Sequence, residues 1–370
     1  MKLLLMSLNW VEYLIDMANA LTTRGHQVEI ILKSERVRET VGTDLSCLLH
    51  PDVSCHVLND YPRGLRDPRQ LATVVRLIRL IRATEPDVIN LHEATNTYLP
   101  FCLALAGKVP LVLTVHDVTT HPGLDTQEPP RREKVRLYFR KRADAVILHG
   151  DWLRVQYLSQ PGDICRKAYA IPHGCYTVFK HWVRNNVLEV QNSVLFFGRI
   201  HEYKGLDYLL RASEIVAREL PNFKIIIAGE GTELERRYNS LLDHQHCVLH
   251  RGYLADDRVA EVFQQASVVV LPYIEGSQSG VVRIAYVCGK PVIVTNVGSI
   301  PECVKDGVTG MVVPPRDEFA LASAILELLK NDSKRHAMGV AAAQMASNEL
   351  SWGNIAERTE KVFQQVVEET

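Results

Sequence analysis

The chain predicts an α/β protein of two doubly wound, Rossmann-like domains in tandem, and three observations predict it. Short apolar runs alternate with helical patterns along the whole length, the arrangement that builds parallel sheets covered by helices on both faces. A length of 370 residues exceeds one ordinary core and divides into two domains of roughly 170 to 180 residues. Polar and small residues fall just after the apolar runs, at Asn9, His92, His116, Gly198, Gly229 and Glu275, where open sheets of this kind bind ligands.

In the first half, residues 1–175, strands are expected at 2–7, 28–32, 88–91, 111–115 and 145–148. The opening run Met1-Lys2-Leu3-Leu4-Leu5-Met6 is interrupted at Ser7, Asn9 and Glu12, far short of the roughly 20 apolar residues that span a bilayer. It therefore reads as a core strand rather than a signal peptide. A helix at 13–23 ends at Arg24-Gly25-His26, and Ile171-Pro172-His173-Gly174 closes this half. In the second half, residues 176–351, strands are expected at 194–197, 224–228, 248–250, 268–271 and 292–295. The helix at 206–220 carries Leu206, Leu209, Leu210, Ile215 and Val216 on one face. A last helix, within 352–370, has no domain of its own to complete and is expected to pack back on the first.

Hydrophobic residues make up 46% and charged residues 23%, the balance of a soluble globular protein. A net charge of −1 argues against a general nucleic-acid binder. Eight cysteines lie scattered without C-x2-C pairs, which indicates neither a zinc site nor a disulfide framework and fits a reducing cytoplasm. Basic residues are unevenly spread. Arg131, Arg132, Lys134, Arg136, Arg140, Lys141 and Arg142 crowd one helical segment together with Leu137, Tyr138 and Phe139; Arg63, Arg66, Arg69, Arg76, Arg79 and Arg82 form another cluster. Both either face water or meet an anionic membrane surface or a phosphate-bearing acceptor.

Two segments carry the chemistry. In FFGRIHEYKGL an apolar strand runs into Gly198, Arg199 and Lys204 bracket a short loop, and Gly205 opens a helix. A guanidinium fork, a mobile ammonium and a helix start with unpaired N–H groups suit a phosphate; the plain alternative is a loop whose cations face water. In the second segment the strand ending at Leu271 leads through Glu275-Gly276-Ser277-Gln278-Ser279-Gly280 into a short helix that Gly289 and Pro291 end. Small residues there leave room for a diphosphate at the helix tip, or serve only as an ordinary serine cap. Glu275 is placed to accept hydrogen bonds from sugar hydroxyls. Gly229-Glu230-Gly231 resembles the start of a dinucleotide fingerprint but lacks its third glycine. No D-x-D triplet offers a metal-ligand set, and Asp256-Asp257 fits the first turn of a helix.

The motifs GRIHEYKGL, IAGEG, YIEGSQSG with AYVCGKPVIVTNVGSIPE, and DGVTGMVVPP together resemble the family 4 retaining glycosyltransferases of GT-B architecture, in a bacterial-type branch with an SQSG phosphate loop, over nearly the full length. The resemblance implies two facing domains, the first binding the acceptor and the second a UDP- or GDP-linked sugar. It implies that Arg199 and Lys204, with Ser277, Gln278, Ser279 and Gly280, hold the diphosphate, that Glu275 binds the sugar and that His116 approaches it near its 6-position. Asn9, Trp10, His92, Gly198, Gly229 and Tyr253 would line the cleft. Taken alone, His116 is equally a structural residue at a strand end.

The chain departs from the family where many members carry two glycines and it has Asn9 and Trp10, with Trp10 available to close over an acceptor. It departs again at Arg283, where members carry a second glutamate eight residues after the first. Transfer builds negative charge on the departing phosphate, and built-in cations meet it without a metal or other cofactor. A hydrolase would need two carboxylates facing the bond, and only Glu275 is so placed. The expected acceptor is a lipid-linked molecule, a polysaccharide or a small molecule, at a cytoplasmic location that includes peripheral contact with the membrane. Two alternatives stay open: another reaction on the same architecture, such as a phosphorylase or epimerase, and sugar-nucleotide binding without turnover.

Overall fold

The structure, a computed structural model, describes residues 1–40, 45–61, 67–119, 129–231 and 246–370. Two compact units divide them: residues 1–119, 129–173 and 352–370 form the first, and residues 174–231 and 246–351 the second. Each is built on a wholly parallel sheet.

In the first unit the strands are β1 (Lys2–Ser7), β2 (Gln27–Lys33), β3 (Ser54–Leu58), β4 (Val88–His92), β5 (Leu111–Val115), β6 (Ala145–Leu148) and β7 (Ala168–Ala170). Their order is β3-β2-β1-β4-β5-β6-β7. Central strands are covered on both faces, so β1, β4, β5 and β6 read as unbroken apolar runs and stand out in the sequence. The edge strands do not. β3 is mostly half-buried and β7 has no fully buried residue, and neither was expected from the sequence.

The second unit holds β8 (Ser193–Phe197), β9 (Lys224–Gly229), β10 (Cys247–Arg251), β11 (Val268–Leu271), β12 (Val292–Thr295) and β13 (Gly310–Val313), ordered β10-β9-β8-β11-β12-β13. Here the edge strand β13, which opens on a glycine, went unexpected. The Leu206–Glu219 helix packs Leu206, Leu209, Leu210, Ala212 and Val216 into the core, with Ile215 half-buried against it. Its start is a forced glycine: Gly205 sits at φ 70°, and a Cβ there would lie 1.9 Å from the Pro272 carbonyl oxygen.

The Trp352–Glu368 helix belongs to the first unit. Its apolar stripe buries Trp352, Ile355, Ala356, Val362, Phe363 and Val366, and the Trp352 ring meets Tyr13 edge-on at 4.7 Å. Glu360 accepts from Arg24 Nε at 2.7 Å and pairs with His26 Nε2 at 3.0 Å, while Arg358 donates to the Ala170 carbonyl at 2.7 Å. No helix among the described residues is long and apolar enough to cross a membrane.

Candidate active site

Both sheets reverse direction beside their first strand. In the first unit the chain steps outward from β1 to β2 and β3, then returns to β4 on the other side of β1. In the second it does the same around β8, returning at β11. Loops leaving such neighbouring strands diverge to opposite faces and open a crevice at the strands' carboxyl ends. Asn9, Trp10 and His92 lie at the first of these places, and Gly198, Arg199, Lys204, Glu275 and Ser277–Gly280 lie at the second.

At the β8/β11 switch, residues 198–204 follow β8 and residues 272–279 follow β11. The loops are tied through the backbone, since Ile274 N–H donates to the Tyr203 carbonyl at 2.8 Å. Lys204 Nζ donates to Tyr273 Oη at 2.9 Å, and its ammonium lies over the Tyr273 ring at 4.8 Å from the centroid. Tyr273 Oη in turn lies 3.3 Å from Ser279 Oγ. Ser279 is the N-cap of the Gly280–Val287 helix, its hydroxyl accepting from Val281 N–H. One phenol thus connects the ammonium to the helix tip. Gly198 belongs to the same corner: a Cβ there would stand 3.0 Å from Lys204 Nζ. Arg199 and Glu275 are exposed, and neither makes a side-chain ion pair or hydrogen bond among the described residues. Ser277 is buried, while Gln278 and Gly280 are half-buried.

A second loop fixes the conformation of residues 275–279 from behind. Ser299 donates twice to the Ser277 carbonyl, from N–H at 2.8 Å and from Oγ at 2.7 Å. Gly298 lies so near that a Cβ would fall 1.9 Å from the Gly276 carbonyl oxygen. Arg283 reaches the same support: its Nη2 donates to Cys303 Sγ at 2.7 Å, and that thiol donates to the Ser299 carbonyl at 3.6 Å. Arg283 is 2% exposed, and its Nε and Nη1 find no acceptor among the described residues. At the position where the resemblance leads one to expect a ribose-binding glutamate, the side chain is turned into the core.

In the first unit, four histidines end or follow four consecutive parallel strands: His92 on β4, His116 after β5, His149 after β6 and His173 beyond β7. All four are buried. Their rings surround Tyr13, with centroid distances to it of 4.6, 5.6, 5.5 and 4.8 Å respectively. His92 Nδ1 and His116 Nε2 share a hydrogen bond of 2.9 Å. Burial drives the His92 imidazole down to about 3, with the neighbouring His149 adding to the shift, and holds His116 well below the ordinary histidine value. Trp10 stacks on His116 at 4.2 Å and 20°. Where the resemblance leads one to expect two glycines, the amides of Asn9 and Trp10 both donate to Ser7 Oγ, at 3.3 and 2.8 Å.

Comparison with known proteins agrees with this geometry. Residues 11–177 match the Glycosyltransferase Family 4 profile, and residues 191–331 match that of Glycosyl transferases group 1. An uncharacterised glycosyltransferase of Methanocaldococcus jannaschii is 31% identical, over 95% of this chain and 93% of the relative. The chain belongs to the family 4 glycosyltransferases. The D-inositol 3-phosphate glycosyltransferase of Corynebacterium diphtheriae is 27% identical to this glycosyltransferase over 95% of its length and 88% of the relative's. A solved structure of HepE from Anabaena in complex with UDP and glucose shares its fold, with a TM-score of 0.72 at 19% identity, covering 99% of this chain and 100% of the other. The architecture is GT-B, an α/β fold of two parallel sheets with flanking helices.

His92, Gly229, Tyr253 and Arg140 of this glycosyltransferase have surroundings that the sequence does not announce. His92 is the last residue of β4 rather than the first of the following loop. Gly229, expected in the cleft, packs backbone against backbone: at φ 147° its Cβ would lie 2.0 Å from the Gly198 carbonyl oxygen, and a Cβ on Gly231 would lie 2.3 Å from that of Ile200. Both glycines let the loop after β9 pack against the loop after β8. Tyr253 follows the edge strand β10 and is half exposed, two strands away from the β8/β11 crevice. In the basic helix Pro130–Arg142, Arg140 is buried and grips Glu93 with two hydrogen bonds of 2.7 and 2.9 Å, so it faces no anionic partner outside. Phe139 is buried beside it. Arg131, Arg132, Lys134 and Lys141 are exposed, as are Arg69, Arg76, Arg79 and Arg82; Arg63 and Arg66 lie outside the described residues. Asp256 and Asp257 fall in the first turn of the Asp256–Gln265 helix. Among the described residues, no group of three or more His, Cys, Asp or Glu side chains could hold a metal ion.

Sequence reasoning missed Tyr273, His149 and His173 as site residues. The histidines did carry a signal, because VILH149 and IPH173 repeat the apolar-run-then-histidine form of INLH92 and LTVH116. Tyr273 carried none, since its partner Lys204 is 69 residues away.

Proposed function

We propose that this glycosyltransferase moves a sugar from a nucleoside diphosphate, UDP- or GDP-linked, to a glycan or lipid-linked acceptor, with retention of anomeric configuration and without a metal. The observation that carries this reading is the chain Lys204 Nζ, Tyr273 Oη, Ser279 Oγ at the β8/β11 crevice. A cation and a capped helix tip side by side suit a diphosphate, which supports this reading. As the glycosidic bond breaks, negative charge grows on the leaving phosphate. Lys204, Arg199 and the amides at Ser277–Gly280 then act as donors preorganised for that charge. Glu275, exposed at the mouth of the loop, is assigned the sugar hydroxyls. The UDP and glucose bound by HepE favour a uridine donor, and the name of the Corynebacterium relative favours a polar, phosphate-bearing acceptor. The exposed cations of the first unit suit that acceptor or the anionic face of a membrane at a cytoplasmic location.

The test is turnover. The purified protein, treated with EDTA, is offered UDP- and GDP-linked sugars with candidate acceptors, and the anomer formed is read by proton NMR. Nucleoside diphosphate release with an unchanged anomer supports the proposal; release that requires added metal, or an inverted product, overturns those parts. A second reading, nucleotide-sugar binding without turnover, draws on Arg283, which is turned away from the ribose role. Saturable binding with no consumption of any donor would favour it.

A further inference from the structure

His116 is held on three sides. Trp10 covers one face at 4.2 Å, Tyr13 meets it edge-on at 5.6 Å and 83°, and His149 packs at 4.7 Å. Its Nε2 is taken by His92 Nδ1 at 2.9 Å. His92 is pinned in turn by the edge of Tyr13 at 4.6 Å. The remaining polar atom of the His116 ring, Nδ1, is buried and has no hydrogen-bond partner among the described residues; the same holds for His92 Nε2. A buried polar atom left unsatisfied costs about 1–3 kcal/mol, so an orphan atom on a ring clamped this firmly needs a reason.

Both rings are kept neutral by burial and by one another, so two protons are shared among four nitrogens, and one of these protons lies in the bond between the rings. If His116 Nε2–H donates to His92, then His116 Nδ1 is a bare acceptor and His92 carries its proton on Nε2. If His92 Nδ1–H donates instead, His116 carries its proton on Nδ1 and becomes a donor there. Neither ring can change tautomer without the other.

Resting on the reading above, we propose that His92 is a positioning residue for His116: by occupying Nε2 it sets the tautomer of His116 and presents Nδ1 as the ring atom that meets a hydroxyl of a ligand bound at the carboxyl ends of this unit's strands. His92 itself touches no substrate in this arrangement. The pairing replaces the carboxylate or carbonyl that usually orients such a ring, and it leaves the site uncharged.

Three variants separate this from packing. His92→Asn keeps a polar atom at the δ position, His92→Gln moves it to the ε position, and His92→Leu removes it. With histidine nitrogens labelled, long-range nitrogen–proton NMR spectra report the tautomer of His116 without any turnover. The expected result is a wild-type tautomer in the Asn variant and an altered or mixed one in Gln and Leu. In the donor assay, kcat should fall roughly tenfold in Gln and Leu with donor KM nearly unchanged, and recover in Asn to within about threefold of wild type. Equal losses in all three, or an unaltered tautomer in Leu, overturn the proposal. Thermal melts of each variant identify one that fails to fold, and the Asn/Gln contrast then decides. If wild type consumes no nucleotide sugar while the NMR contrast holds, the functional reading fails and the positioning stands.

Discussion

Lys204 has four rotatable bonds and would lose most of its aim if left in water; Tyr273 holds it through both the phenol oxygen and the ring face. Lys204→Ala should therefore cut turnover about a hundredfold, the usual loss for one preorganised donor to a developing charge. Tyr273→Phe keeps the ring and loses the oxygen, so it should cost only about 1 kcal/mol, a severalfold loss in kcat/KM. Steady-state assays with a UDP-linked sugar check both, and an Ala variant near wild-type rate would remove Lys204 from the diphosphate.

Arg283 invites a different test. A buried guanidinium whose one hydrogen-bond partner among the described residues is a thiol gains little Coulomb energy against its desolvation, so Arg283→Met should leave the melting temperature unchanged or raised. A fall of several degrees would mean that the relay to Ser299 matters more than the charge costs.

The buried histidines set an acid limit. His92 and His116 are more acidic in the folded chain than when unfolded, so below the ordinary histidine value the unfolded chain binds more protons. Stability is fully present above about pH 6.5 and declines as pH falls from there toward about 3. Each such ring contributes up to about 1.4 kcal/mol per pH unit. Melting temperatures followed from pH 7 to 4.5 should drop steeply, and less steeply in His92→Asn. At this scale the sequence marked Lys204 and Ser279, whose side chains the structure links through Tyr273. It was silent where an ordinary tyrosine acquires its role from a distant partner.

Among elements, the loops after β8, β9, β11 and β12 stand closer than side chains would allow. Gly198, Gly229, Gly205 and Gly298 are all places where a neighbouring carbonyl occupies the space of a Cβ or a lysine amine reaches it. Gly229→Ala, which forces a Cβ to 2.0 Å from the Gly198 carbonyl, should push the 198–204 loop outward. The expected outcome is weaker nucleotide binding together with a loss of about 1–3 kcal/mol in stability. Calorimetric titration with UDP beside a denaturant melt measures both, and an unchanged affinity would show that the loop yields without moving Lys204. Most strands that sequence reasoning identified are buried on both faces; β10, an edge strand with no buried residue, is the exception. Those it missed, β3, β7 and β13, are the edges and the terminal strand, where a half-exposed chain needs no continuous apolar run. The crevices were legible through loop composition, whereas the supporting loop at Gly298 and Ser299 was not, because its bonds run through the backbone.

For the molecule as a whole, the decisive feature is that the first unit is discontinuous. Its sheet is complete by β7, yet Tyr13 and the outer face of the Val11–Thr23 helix are covered by a segment that comes after the entire second unit. That arrangement was expected from the helical pattern near residue 352, a helix with no domain of its own to complete. Deleting 352–370 should lower the melting temperature of the first unit while UDP binding, assigned to the second, survives; loss of both together would show that the helix supports more than its own unit. Growing from the ribosome, the chain therefore cannot finish its units in the order in which they are translated. The earlier half must wait with the face of its Val11–Thr23 helix that meets the Trp352–Glu368 helix uncovered while the later half is made, a window during which a chaperone would find its target.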